Sequence, residues 1–202
     1  RSDIVILSVK PQFYAEVIAE IKDDVREDQI IITIAPGKTL AWLKEQFGKN
    51  VKIVRTMPNT PALVGAGMTA ACPNEYMTKE EIAYVLTLLE SFGRVEIIPE
   101  RLMDTVVSVS GSSPAYVFMF IEAMADAAVS GGMPRAQAYQ FAAQAVLGSA
   151  KMVLETGKHP GELKDMVCSP AGTTIEAVRV LEEKGFRSSV IEAMKTCEEI
   201  SK

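Results

Sequence analysis

Histidine is nearly missing from this chain. His159 is the single one, and the three cysteines (Cys72, Cys168, Cys197) lie far apart. An odd number of widely spaced cysteines with one histidine matches neither a disulfide framework nor a zinc-ligand spacing. The expectation is a reduced protein without a metal. Excess positive charge is also lacking. The formal net charge is −5, with acidic and basic residues interspersed, so there is no electrostatic footprint for nucleic acid. Long apolar runs are scarce too. The longest uncharged run, residues 105–121, contains Ser108, Ser110, Gly111, Ser112, Ser113 and Pro114. It reads as too short and too polar to span a bilayer. No segment has the basic, apolar, small-residue order of a signal peptide. A cytoplasmic protein that binds neither nucleic acid nor membrane is expected.

One further absence concerns phosphate. The Gly-x-Gly-x-x-Gly turn that cradles a dinucleotide pyrophosphate does not occur, and Gly65-x-Gly67 is not followed by a helical pattern. Either no dinucleotide binds, or the first βαβ unit lies upstream of Arg1. The chain opens Arg1-Ser2-Asp3 and enters an apolar strand at once, without Met. That start favours the second explanation, and a longer parent chain is expected.

What is present is enough for one large core or two small ones: 202 residues, 48% hydrophobic. The first half alternates. Apolar runs at residues 4–9, 29–35, 51–55 and 93–98, with a short one near 68–71, read as strands. Phe13, Val17, Ile18 and Ile21 recur at helical spacing after Pro11. Residues 39–47 and 79–92 also read as helices, the latter behind a Thr78–Glu81 capping box. Such alternation predicts the α/β class, with a mostly parallel sheet and helices on both faces. After Pro99 no convincing strand follows. Helices are expected over 114–130 (Ser113 as N-cap), 134–156, 161–167, 174–184 and 187–201. The first two are Ala-rich and apolar nearly all round. Such helices must be covered on every side, so a homodimer through this half is inferred. The division falls at 1–99 and 100–202.

Two places could carry chemistry. Ser8-Val9-Lys10-Pro11, Ala35-Pro36-Gly37 and Met57-Pro58-Asn59-Thr60-Pro61 stand at the carboxyl ends of strands, where open α/β sheets bind ligands. Lys10 alone reads more readily as a surface lysine starting a helix. The second place is Ser169-Pro170-Ala171-Gly172-Thr173-Thr174, a turn running into an amphipathic helix. It reads as a cradle of backbone N–H groups for a small anion, or as a plain N-cap supplied by Thr173 or Thr174. His159, ahead of Pro160, reads as a helix cap. Cys168 reads as a small buried thiol, and Glu122 and Asp126 as polar positions at a helix seam.

Five blocks, in order over essentially the whole chain, resemble the pyrroline-5-carboxylate reductases. They are the run from Ser2 to Pro11, Arg55-Thr56-Met57-Pro58-Asn59-Thr60-Pro61, Ser108-Val109-Ser110-Gly111-Ser112-Ser113-Pro114-Ala115-Tyr116, His159-Pro160-Gly161-Glu162-Leu163-Lys164-Asp165, and the turn at 169–174, which is the most specific. The resemblance implies NADPH- or NADH-dependent reduction of a cyclic imine carboxylate to proline, the last step of proline biosynthesis. It implies that residues 1–99 are the remainder of a Rossmann-type dinucleotide-binding domain and 100–202 an all-α dimerisation and substrate domain. Rings of dimers are possible on the same ground. Val9, Lys10, Pro11, Pro36 and Asn59 would line the cofactor. Glu100 would sit at the hinge near both ligands and count among the substrate-binding residues. Ser169, Gly172, Thr173 and Thr174 would hold the substrate, with Thr174 at the ring nitrogen. Two residues depart from the family pattern: Ala171 stands where many members have Gly, and Met166 where some have Asn.

The residues suit that role. A carboxylate wants N–H donors at a helix start, and an iminium nitrogen wants a neutral hydroxyl such as Thr174. A protonated imine is already electrophilic, so the lack of histidine or an acid pair does not exclude an enzyme. Two rivals stand beside this reading. A 6-phosphogluconate-type dehydrogenase would place a catalytic lysine on its long central helix, and residues 114–130 have none. A non-catalytic oligomerising module would follow if the protein began at Arg1.

Overall fold

The computed structural model describes residues 2–201. The strands are β1 (Ile4–Leu7), β2 (Ile30–Thr33), β3 (Lys52–Met57), β4 (Gly67–Pro73) and β5 (Gly93–Ile97), in spatial order β1-β2-β3-β4-β5. The pairs β1–β2, β2–β3 and β4–β5 are parallel, whereas β3–β4 is antiparallel. The connection from β3 to β4 is a single 3₁₀ turn, Thr60–Val64, too short for the crossover that a parallel neighbour needs. The sheet is therefore mostly parallel, as the sequence predicts, with one reversal.

Helices cover both faces because β2 is apolar in both directions. Ile31 packs with Tyr14, Ile18, Leu43 and Phe47, from α1 (Tyr14–Ile21) and α2 (Leu40–Phe47). Ile30 and Ile32 point the other way, onto Val85 and Leu89 of α3 (Lys79–Glu90). All four β2 residues are buried. The Thr78–Glu81 capping box forms in both directions.

From Glu100 the chain is helical almost without a break. A 3₁₀ turn (Glu100–Leu102) leads into α4 (Met103–Val106), then a π-turn (Val107–Gly111), then α5 (Ser113–Ser130). Ser113 is thus not an N-cap, because helix already precedes it. The remaining helices are α6 (Arg135–Thr156), α7 (Pro160–Val167), α8 (Thr173–Glu183) and α9 (Phe186–Ser201). His159 caps α7, its Nδ1 accepting from Gly161 N at 3.0 Å. Asp126 pairs with Arg135 at 2.5 Å rather than with Glu122. Cys168 is half-buried rather than buried, and all three cysteines are free.

The chain divides into two units, Arg1–Pro114 with Met194–Lys202, and Ala115–Ala193. The run Glu100–Ser130, mean hydropathy 1.2, is long and apolar enough by length and composition to cross a membrane. This corrects the expectation drawn from residues 105–121 alone, because the helix begins earlier. Only 11% of its apolar window is buried within the chain. Phe118, Met119, Phe141, Leu147 and Leu154 all lie open, the amount of uncovered apolar surface that a partner subunit removes.

Gly93 faces Gly67 across the β4–β5 pair with φ +153°, and a Cβ there would lie 2.1 Å from Gly67 O. Gly93→Ala is expected to cost about 3 kcal/mol or more, from backbone strain plus overpacking. Urea unfolding of the two proteins measures it.

Candidate functional site

Where parallel strands end, the ladder stops and side chains must take over the last backbone groups. At the carboxyl edge of this sheet they do so strand by strand. The fully buried Tyr14 donates its hydroxyl to Leu7 O at 2.6 Å and accepts from Ile34 N at 3.2 Å, joining the ends of β1 and β2. Burial pushes its phenol above the ordinary value. Thr56 Oγ1 donates to Thr33 O at 2.8 Å and joins β2 to β3. Sequence reading missed both residues.

Beyond these pins lie the loops singled out from sequence. Val9 and Lys10 are exposed, and Lys10 takes part in no ion pair among the described residues. Pro11 opens a 3₁₀ turn ahead of α1. Pro36 is exposed, and Gly37 turns the chain at φ +72°. An unpaired ammonium beside exposed backbone and a proline face suits part of a dinucleotide. The pyrophosphate turn itself is not among these residues.

Asn59 occupies the same edge in another way. Its Oδ1 accepts from Met68 N at 2.9 Å and its Nδ2 donates to Ser110 O at 3.0 Å. Ser110 O needs that donor, because the residue four ahead is Pro114, which has no N–H. Asn59 thus ties the start of β4 to the π-turn. Glu100 Oε1 accepts from Leu40 N at 2.7 Å and from Arg55 Nη1 at 2.9 Å. Asp104 lies 4.0 Å from the same guanidinium. Arg55 was also missed; an arginine within Ile53-Val54-Arg55-Thr56-Met57, paired with a later acid, was the available signal.

The second place is the turn between α7 and α8, in the other unit. Gly172 N donates to Ser169 O at 3.1 Å. Gly172 is the N-cap of α8, with no side-chain cap bond. Neither Thr173 nor Thr174 is the cap, so the plain-cap reading fails. Both stand in the first turn, where helical N–H groups have no intrahelical partner, and no described hydrogen bond takes up either one. Gly172 contributes space rather than a donor: a Cβ there would lie 2.3 Å from Ser169 Oγ. Thr173 is exposed and Thr174 half-buried. Ala171 is the single non-glycine residue with positive φ among those described, at +54°. Before the turn, a hydrogen bond from Lys164 to Asp165 raises the ammonium above its ordinary value. The structure thus brings Val9, Lys10, Pro11, Pro36, Asn59 and Glu100 to one unit, and Ser169, Gly172, Thr173 and Thr174 to the other.

Residues 100–202 match the family described as pyrroline-5-carboxylate reductase dimerisation. Residues 1–37 match a second description, NADP oxidoreductase coenzyme F420-dependent. The pyrroline-5-carboxylate reductase of Escherichia coli (strain K12) is 63% identical over 200 residues, covering 99% of this chain and 74% of that protein. Two solved structures resemble the chain throughout. A pyrroline-5-carboxylate reductase from Coxiella burnetii gives a TM-score of 0.92 at 35% identity, over 100% of this chain and 75% of that one. The Plasmodium falciparum pyrroline carboxylate reductase with NADP bound gives 0.92 at 35% identity, over 98% and 76%.

An alanine held at positive φ pays a steric penalty that glycine does not. Ala171→Gly is expected to raise stability by roughly 0.5–1 kcal/mol, the relief of that strain less the added freedom of the unfolded chain. The midpoint of urea unfolding checks this.

Proposed function

The chain belongs to the pyrroline-5-carboxylate reductase family, and from that premise we propose that it reduces 1-pyrroline-5-carboxylate to L-proline with NADPH or NADH. The observation that carries the reading is the turn at 169–174: two first-turn amides of α8 without a partner, beside two threonine hydroxyls. An anion at a helix start meets aligned N–H groups and the positive end of the dipole. The amides of Thr173 and Thr174 hold the substrate carboxylate, and Gly172 leaves Ser169 free to close the turn. Thr174 Oγ1 meets the ring nitrogen and hands over or accepts a proton there. When bound, the dinucleotide supplies a hydride to the C=N carbon. Lys10, with Val9, Pro11 and Pro36, holds it at the carboxyl edge of the sheet, and Asn59 keeps that edge in register with the π-turn.

The rival dehydrogenase reading lapses with family membership. Residues 1–99 serve the cofactor, and 100–202 serve the substrate and dimerisation. The active form is a homo-oligomer; its unit is a dimer through the helical half, which larger rings can repeat. The enzyme acts in the cytoplasm on a small molecule, apart from membranes and nucleic acid, with the apolar face of Glu100–Ser130 taken up by the partner subunit.

Two measurements test this. Full-length enzyme should oxidise NADPH only when pyrroline-5-carboxylate is added; no substrate-dependent oxidation overturns the assignment. Thr174→Ala removes one hydrogen bond to the reacting ring, worth about 1–3 kcal/mol, and should slow turnover roughly 5- to 150-fold. Turnover at the wild-type rate removes Thr174 from the mechanism.

A further inference from the structure

The start of α2 is capped from inside the protein, twice. Thr39 Oγ1 accepts from Trp42 N at 3.1 Å, the usual N-cap contact. The amide two residues earlier, Leu40 N, is taken by Glu100 Oε1 at 2.7 Å, a carboxylate sixty residues away in sequence. The same oxygen faces Arg55 Nη1 at 2.9 Å. Arg55 is 4% exposed and belongs to β3, so the carboxylate is tied to the rigid sheet and in turn ties down the helix start. A charged acceptor on a first-turn amide is a strong hydrogen bond, reinforced by the dipole. Immediately ahead of Leu40 runs the loop with Pro36 and Gly37. Its one end is fixed by β2 and by Tyr14 on Ile34 N; its other end is fixed by Glu100.

We infer that Glu100 is a positioning residue for the cofactor-side loop at 35–39, acting through Leu40 N and anchored by Arg55, rather than a group that touches the substrate. The inference rests on the proposal that this loop lines the dinucleotide. It departs from the role that family resemblance implies for Glu100. A substrate contact would need the carboxylate turned towards the ligand. Here its Oε1 is engaged twice by the protein, by Leu40 N and by Arg55 Nη1.

The test uses Glu100→Ala, Glu100→Gln and Leu40→Pro in the full-length enzyme. Glutamine keeps an oxygen acceptor for Leu40 N. Proline removes the donor at a first-turn position that tolerates it, and leaves the Arg55–Glu100 pair intact. Three quantities are read: amide exchange of residues 37–43 without ligand, with Trp42, the single tryptophan, as an optical reporter; NADP⁺ affinity without substrate; and KM for pyrroline-5-carboxylate. Glu100→Ala and Leu40→Pro are expected to speed exchange over 37–43 and weaken NADP⁺ binding about 5- to 20-fold. Substrate KM should stay within about twofold, and Glu100→Gln should restore most of the affinity. A rise in substrate KM with unchanged NADP⁺ affinity overturns the inference and returns Glu100 to the substrate. Unchanged exchange and affinity in Leu40→Pro also overturns it, even if Glu100→Ala fails to fold. Lack of substrate-dependent oxidation in the wild type would sink the functional assignment instead, and the exchange result stands apart from it.

Discussion

A guanidinium set in an apolar strand has to be neutralised where it stands, since an unpaired buried charge is among the costliest defects a fold can carry. Arg55 imposes that condition on the whole carboxyl edge. Its partners, Glu100 and Asp104, come from the stretch where strand gives way to continuous helix. They therefore fix where that helix starts relative to β3. Glu100 spends the same oxygen on α2, so β3, the loop after β2 and the beginning of the long helical run share one anchor. Tyr14, Thr56 and Asn59 extend the logic along the edge, each satisfying a backbone group that the ladder leaves behind.

Much of this fold was legible in residue patterns. The capping box at Thr78 and Glu81 follows from local chemistry alone, and a β2 that is apolar on both faces calls for helices on both. What resisted reading depended on distant partners. Ser113 has the composition of an N-cap, yet the chain reaches it already helical through a π-turn. Within that turn the Ser110 carbonyl accepts from Asn59, fifty-one residues earlier in the chain. The reversal at β4 hinged on the length of one connection rather than on strand composition. Of the candidate site, the positions of the loops and of the turn were readable. The internal duties of Asn59 and Glu100 were not, because no local spacing says which of two chemically suitable partners a carboxamide or a carboxylate will choose.

The turn at 169–174 illustrates a division of labour between neighbours. Gly172 is needed for what it lacks, since Ser169 Oγ occupies the space of a side chain. Ala171 adopts the conformation that suits glycine better. The segment thus holds a narrow backbone geometry at some cost in stability, a recurrent trade at sites where donors must be aimed. The match to the family over residues 100–202 places this turn in the half whose description is dimerisation.

The open apolar flank of Glu100–Ser130 has a consequence for how the molecule behaves in dilute solution. A helix with so little of its greasy surface covered by its own chain is expected to gain stability from subunit association. The native form is then linked to the population of paired subunits, and the midpoint of thermal unfolding climbs with protein concentration.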